Sequence, residues 1–129
     1  MTQSTNTAVQ DVTIVSVPVS DQRRARDFFV DRLGFELVRE MEAEGLHWVQ
    51  VRPQGSSTSL TLVNWFPSMP AGSLKGVVLS TPDVGAAYRS LGERGVEFEH
   101  EPQKAFWGTY ITFSDPDGNS FVLAQPHAA

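Results

Sequence analysis

The sequence predicts an α+β domain built from two successive modules, each with one strand, one helix and three further strands. Several short segments alternate apolar and polar residues, as half-buried strands do. Two other segments place apolar residues at helical spacing behind a capping residue. The same order of signals occurs twice, with Gly34 lying 61 residues before Gly95 and Pro53 lying 63 residues before Pro116. This repetition predicts two βαβββ modules.

The first module begins with a strand at residues 12–19. Ser20 or Asp21 caps the following helix, and Gly34 ends it in the left-handed conformation. The apolar stripe of that helix consists of Ala25, Phe28, Phe29 and Leu33. Three strands are then predicted, at residues 35–40, 47–52 and 59–63, with a Pro-Gln-Gly turn between the last two.

The second module follows an aperiodic linker at residues 65–73, whose Trp65 and Phe66 suggest that it lies against the domain. A strand at residues 75–80 leads into a helix with Pro82 in its first turn and Gly95 as its stop. The apolar stripe of this helix consists of Val84, Ala87, Tyr88 and Leu91. Strands are predicted at residues 96–100, 109–113 and 120–124, and residues 115–119 form a tight turn.

Composition and charge limit the function classes. The chain has 129 residues, 40% hydrophobic residues, no cysteine and a net charge of −5. We therefore expect one domain at residues 12–125 (modules 12–64 and 74–125, linker 65–73) between a flexible tail at 1–11 and a short tail at 126–129. The sequence has no cluster of basic residues that would predict nucleic-acid binding, and no apolar run long enough to span a membrane. The polar residues 1–10 do not have the pattern of a signal peptide, so we expect a cytoplasmic protein.

Four motifs carry a resemblance to a known family. They are Val-Pro-Val-Ser-Asp at residues 17–21, Phe-Phe at 28–29, Leu-Gly-Phe at 33–35 and Thr-Phe-Ser-Asp-Pro-Asp-Gly-Asn at 112–119. Together they resemble the vicinal oxygen chelate superfamily, which includes glyoxalase I, extradiol dioxygenases, fosfomycin-resistance enzymes and bleomycin resistance proteins. The resemblance implies a half-open, cupped, eight-stranded mixed sheet with helices on its convex side, often in a homodimer.

The metal-ligand positions of the superfamily are filled by residues that do not bind metals. By the resemblance, these positions fall at Ile14, Ser59 (or Leu60), Gly76 and Val122. Divalent ions need carboxylate, imidazole or carbonyl donors, so we expect no metal, no cofactor and no catalytic residue carried over from the family. The histidines do not replace the missing ligands, and we interpret them as surface or capping residues: His47, His100 and His127.

Strand alternation separates a face packed on the helices from a face that lines the cup. The predicted helix-facing residues are Val15, Val17, Val19, Val49, Val51, Leu60, Leu62, Val77, Leu79, Ile111, Phe113, Phe121 and Leu123. The predicted ligand-binding pocket consists of Ile14, Ser16, Trp48, Gln50, Ser59, Thr61, Gly76, Val78, Trp107, Tyr110, Thr112 and Val122. This wall is apolar with a few hydroxyl and amide groups, as small-molecule pockets are. The alternative for each tryptophan is packing in the core or in a dimer interface.

Several functions remain open on these grounds. The leading hypothesis is metal-independent binding of an apolar or aromatic small molecule, with sequestration of a drug or toxin as the family precedent. The alternatives are a metal-dependent lyase or dioxygenase with displaced ligands, a metal-free enzyme using Tyr110, Glu99 or His100, and an interaction module whose cup is closed by a partner.

Overall fold

The computed structural model describes residues 8–127 and confirms the α+β fold of two βαβββ modules. The first sheet has the order β1-β4-β3-β2, with β1 at Ile14–Pro18, β2 at Glu36–Ala43, β3 at Leu46–Arg52 and β4 at Ser59–Val63. The second sheet has the order β5-β8-β7-β6, with β5 at Val77–Ser80, β6 at Gln103–Ala105, β7 at Gly108–Ser114 and β8 at Ser120–Pro126. Residues 1–7 and 128–129 of the expected tails lie outside the described residues.

The first helix has the cap and the stop that the sequence predicts. Helix α1 (Gln22–Asp27) continues as a π-helical turn at Phe28–Arg32. Asp21 is its N-cap, because its carboxylate accepts a hydrogen bond from the backbone N–H of Arg24 at 3.1 Å. Gly34 follows with a φ of 77°, a conformation that glycine adopts without steric cost.

The second helix, α2 (Val84–Glu93), begins after Pro82, which the sequence analysis places in its first turn. Asp83 is the N-cap and accepts from the N–H of Ala86 at 3.0 Å, so Pro82 precedes the cap and does not lie in the first turn. Gly95 ends the helix with a φ of 90°. Between residues 8 and 127, no helix has the length and apolar character that crossing a bilayer requires.

The predicted strand at residues 96–100 is wrong. That segment makes only an isolated bridge between Phe98 and Phe113, and the edge strand of the second sheet is β6, farther along the chain. Val96 and Phe98 alternate with polar residues because both pack toward the core. Phe98 contacts Tyr88, with ring centroids 5.0 Å apart. Alternation here reflects burial without the hydrogen-bonded pairing that defines a strand.

One hydrophobic core lies between the two sheets and includes both helices. The predicted helix-facing residues all belong to this core or pack against it, which confirms that assignment. Phe29 of the π-helical turn meets Phe121 of β8 almost at right angles, with centroids 5.7 Å apart, so the two modules share their packing directly. Because each sheet turns one face toward this common core, the opposite faces point away from each other. We call these the outer faces.

Candidate functional site

The outer face of the first sheet carries six of the predicted pocket residues. They are Ile14, Ser16, Trp48, Gln50, Ser59 and Thr61. Strand pairing sets them in transverse rows, since residues opposite each other in neighbouring strands point to the same side. Ser16 pairs with Thr61, and Thr61 pairs with Gln50. The Ser16 and Thr61 hydroxyl oxygens are 3.4 Å apart. Ser59 and Thr61 are buried, at 4% and 1% exposed, so the half-buried polar side chains of this face are those of Ser16 and Gln50.

Trp48 is the aromatic centre of the first outer face. Trp65, from the segment that follows β4, stacks on it with ring centroids 6.3 Å apart and planes 23° apart. The indole N–H of Trp48 donates to the Oε1 atom of Gln50 at 3.1 Å. Trp48 therefore lies in neither the core nor the open solvent, but in a half-buried stack on the outer face.

The outer face of the second sheet carries the other predicted residues except Gly76. Val78 pairs with Val122, and Val122 pairs with Thr112, which gives one transverse row. Trp107, in the β6–β7 turn, lies over Tyr110 with centroids 5.4 Å apart and planes 30° apart. Each outer face thus presents a pair of aromatic rings in contact, stacked on the first face and tilted on the second.

His100 belongs to this second face, although the sequence places it on a surface edge strand. Its Nδ1 donates to the carbonyl oxygen of Glu101 at 2.7 Å, and its Nε2 lies 3.0 Å from the Thr112 hydroxyl oxygen. Its ring meets that of Tyr110 edge-on at 5.4 Å. No periodic pattern indicates this position, because residues 99–101 form a bend.

Gly76 lies outside the strand in which the sequence places it. It precedes β5 and has a φ of 85°, and a Cβ at this position would meet no atom within 4 Å. The backbone conformation therefore explains the glycine without any ligand.

A cleft of about 880 Å³ opens between the modules on the helix side of the sheets. Both edge strands β1 and β5 contribute to it, and its apolar lining includes Val15, Leu33, Phe35, Val77, Leu79 and Leu91. Of the predicted pocket residues only Val78 lines this cleft. The structure thus separates three surfaces, namely two outer faces and one cleft, and one chain does not bring the two outer faces together.

Comparisons with known proteins agree with this architecture. The model of the Glyoxalase/Bleomycin resistance protein/Dioxygenase superfamily matches residues 11–123. The chain belongs to this superfamily. It is similar to the crystal structure of TnmS3, an antibiotic binding protein from Streptomyces sp. CB03234, with 48% identity, a TM-score of 0.90, and coverage of 95% of this chain and 100% of TnmS3.

Two further relatives support the same membership. A superfamily member from Sphaerobacter thermophilus DSM 20745 has 37% identity and a TM-score of 0.83, with 90% of this chain and 97% of that chain covered. The uncharacterized protein YetH of Bacillus subtilis (strain 168) is 31% identical over 126 residues, which cover 91% of this chain and 99% of YetH. The superfamily includes enzymes as well as resistance proteins, so membership alone does not decide on catalysis.

The metal positions of the superfamily do not fit a divalent ion in this chain. Ile14 and Ser59 face each other across β1 and β4, while Val122 lies on the other sheet. Neither an aliphatic side chain nor a glycine supplies a donor. In the part of the chain that the structure describes, no three His, Cys, Asp or Glu side chains gather closely enough to hold a metal. The lack of family ligands that the sequence indicates is consistent with this structure.

His47 and His127 contact protein groups near the surface. His47 lies 2.8 Å from the Glu40 carboxylate, which also binds Arg26 at 2.8 Å. His127 lies 3.3 Å from the carbonyl oxygen of Ala105.

Arg39 and Met41 extend the first outer face, and the sequence analysis missed both. Arg39 pairs with Gln50, and Met41 pairs with Trp48. Leu37, however, pairs with Val51 of the core, because the register shifts by one residue between Leu37 and Arg39. Simple alternation would put Leu37, Arg39 and Met41 on one face. The irregularity at Val38 breaks that parity, and no local signal marks it.

At the edge of the same face, Glu36 is tied to Arg52. The guanidinium donates to the carboxylate at 3.1 Å, and the backbone N–H of Gly55 donates to the other oxygen at 3.1 Å. The hydrogen bond from Arg52 and then that from Gly55 lower the pKa of Glu36, against a smaller effect of burial. Glu36 is therefore a charged carboxylate already occupied by protein donors.

Proposed function

We propose that this protein binds an apolar or aromatic small molecule without a metal, in cups that a homodimer forms from its outer faces. The observation that carries the proposal is the pair of aromatic contacts on the outer faces, Trp48 stacked with Trp65 and Trp107 tilted over Tyr110. Rings held half-exposed beside a few polar groups favour flat ligands, each aromatic pair contributing about 1 kcal/mol beyond its buried area.

The proposal of a homodimer rests on what a single chain leaves uncovered. Strands β1 and β5 are both sheet edges, and such edges have backbone groups free to pair with another chain. Ile14 on β1 is 39% exposed and Val78 on β5 is 62% exposed. If β1 of one chain lies beside β5 of its partner, the first outer face of one chain and the second outer face of the other line one cup. Two equivalent cups result from the two-fold symmetry.

The similarity to TnmS3 supports a role in drug or toxin sequestration. TnmS3 is an antibiotic binding protein, and it shares 48% of its residues with this chain over nearly the full length of both. Sequestration requires shape and stacking only, which is what the two outer faces offer. The proposal includes a cytoplasmic location, which the absence of cysteine allows.

The metal-dependent alternatives need ligand groups that the family positions of this chain do not supply. A lyase or dioxygenase of this superfamily would need metal donors at Ile14, Ser59 and Val122. Asp115 is a buried carboxyl whose pKa is raised by burial, against hydrogen bonds from Asn119, a combination that can indicate an acid or base. Among residues 8–127, however, its carboxylate oxygens accept only from Asn119 and the backbone of Asp117, so its contacts are those of a turn.

Isothermal titration of chelator-treated protein against a panel of flat neutral and charged aromatic compounds tests the proposal. We expect saturable binding of at least one compound with one site per chain, unchanged when a divalent ion is added. A folded protein that binds no member of the panel, or that binds only after addition of the ion, would contradict it.

A further inference from the structure

The first outer face carries two hydrogen-bond donors, Gln50 and Arg39, next to its aromatic stack. Strand pairing continues the polar row of Ser16, Thr61 and Gln50 to Arg39 on β2. Trp48 and Met41 form the neighbouring row. Rows on one face are two residues apart along a strand, about 7 Å. A flat ring on Trp48 therefore brings a substituent on its edge over Gln50 and Arg39.

The orientation of the Gln50 amide is fixed by Trp48. An indole N–H is a donor only, so the atom of Gln50 that faces it at 3.1 Å must be the carbonyl oxygen. The NH₂ group of Gln50 then points elsewhere. Between residues 8 and 127 it has no hydrogen-bond partner, and its nitrogen is not fully buried. Gln50 therefore presents two accessible N–H donors to a ligand.

Arg39 adds a positive charge to the same row. Its side chain is exposed, and no carboxylate of the described residues lies within 4.0 Å of it. Glu36, the carboxylate on this part of the sheet, is occupied by Arg52. Arg52 itself retains a buried Nε–H with no acceptor among the described residues. This face thus has an excess of donors and positive charge, in a chain whose net charge is −5.

We propose that the aromatic ligand of the first outer face carries a carboxylate or carbonyl oxygen on its edge, and that Gln50 and Arg39 select it by donating hydrogen bonds to that oxygen. This inference rests on the proposed function and adds the chemical class of the ligand. Arg39 and Gln50 are specificity-determining residues, while Trp48 supplies the stacking surface. A cationic aromatic is disfavoured, because it meets donors and a like charge where it needs acceptors.

Three probes with the same ring system separate charge from stacking: 2-naphthoate, 2-methylnaphthalene and 2-naphthylmethylammonium. Titrations followed by tryptophan fluorescence give a Kd for each. We expect 2-naphthoate to bind about tenfold more tightly than the neutral probe, as a partly screened charge-assisted hydrogen bond provides. The cation should bind most weakly. Equal Kd values for all three probes, or tightest binding of the cation, would contradict the proposed preference for a carboxylate or carbonyl oxygen. Neither result would contradict the proposed binding function.

Two variants test the residues. Arg39→Met keeps most of the aliphatic stem and removes the charge, so the preference for 2-naphthoate should disappear while 2-methylnaphthalene binds as before. Arg89→Met, on the exposed side of α2, is the matched control and should change neither Kd. Gln50→Glu keeps an acceptor for the Trp48 N–H and replaces the amide donors with a carboxylate, so it should reverse the preference toward the cation.

The outcomes distinguish the proposed ligand preference from the proposed binding function. Unchanged selectivity in both Arg39→Met and Gln50→Glu would overturn the inference, since the preference would then arise elsewhere. Absence of binding of all three probes to the folded wild-type protein would overturn the proposed function of this face as well. Circular dichroism on each variant establishes that the protein tested is folded.

Discussion

The side-chain amide of Asn119 donates a hydrogen bond to the carbonyl oxygen of Pro18 at 2.8 Å, and the two residues are 101 positions apart. The same amide donates to Asp115, and its oxygen accepts from the backbone N–H of Leu74 at 3.0 Å. One buried side chain thus joins the end of β1, the segment before β5 and the β7–β8 turn. Asn119 therefore fixes the first module against the second.

Replacing Asn119 with alanine should destabilise the protein strongly. Pro18, Leu74 and Asp115 would each lose a hydrogen-bond partner at a site where Asn119 is 0% exposed. The expected loss in the free energy of unfolding is about 3 kcal/mol, since three buried hydrogen bonds are removed and each contributes about 1 kcal/mol. Urea denaturation measures it, and the exposed Asn64→Ala serves as control. A loss below about 1 kcal/mol would mean that Asn119 does not hold the modules together.

Gly72 is required where the linker meets the β7–β8 turn. Its φ is +83°, and a Cβ would lie 2.1 Å from the carbonyl oxygen of Asp117. Gly72→Ala should lower the free energy of unfolding by about 3 kcal/mol through backbone strain and overlap. Gly92→Ala in α2 meets no atom within 4 Å and should instead stabilise by up to about 1 kcal/mol. Equal effects of the two substitutions in thermal unfolding would contradict this account of Gly72.

Glu40 should make the stability depend on acidic pH. Burial alone would raise its pKa, but hydrogen bonds from His47 and Arg26 outweigh it, so the pKa of Glu40 is lowered. A lowered pKa in the folded state stabilises the protein above the ordinary pKa of glutamate, and this contribution disappears as the pH falls through the lowered value.

Glu40→Gln should therefore cost about 1 kcal/mol at neutral pH and progressively less under acidic conditions. Chemical denaturation at a series of pH values measures the difference from wild type. Glu42→Gln on the same strand is the control. The ion pair of Glu42 with Arg23, at 3.8 Å, joins two side chains that are 72% and 68% exposed, so its loss should have little effect. If the difference in the free energy of unfolding between wild type and Glu40→Gln stays constant down to low pH, Glu40 does not contribute to the pH dependence in this way.

Val78 tests the proposed homodimer. It is 62% exposed on the edge strand β5, and a lysine there introduces a charge that a partner strand would have to bury. Sedimentation velocity should show a dimer for the wild type and a shift toward monomer for Val78→Lys. Val9→Lys, at an exposed position outside the strands, should sediment as the wild type does. A wild type that is monomeric at high concentration would contradict the shared cups.

The sequence predicts the fold well because its strongest signals are local. The cap at Asp21, the stops at Gly34 and Gly95, and the apolar faces of the strands each follow from one or two residues and their backbone requirements. These signals also define the repeat. They do not say which strands pair, which is why the segment at residues 96–100 is not a strand although its residues alternate.

The candidate site is less predictable, because its details depend on register and on distant segments. The irregularity at Val38 turns Arg39 and Met41 to the outer face, and Trp65 reaches Trp48 only through the path of the linker. No alternation pattern contains either fact. The separation of the two outer faces likewise follows from how the modules pack, which a pattern within one module does not record.

The side-chain N–H signals of Trp48, Trp65 and Trp107 in a two-dimensional ¹H–¹⁵N spectrum test the central claim most directly. These are the three tryptophans of the chain, two on the first outer face and one on the second, and none lines the cleft between the modules. During titration of chelator-treated protein with an aromatic ligand, we predict that all three signals shift together with one Kd. Saturable binding that leaves all three signals unmoved would place the ligand elsewhere and contradict the account.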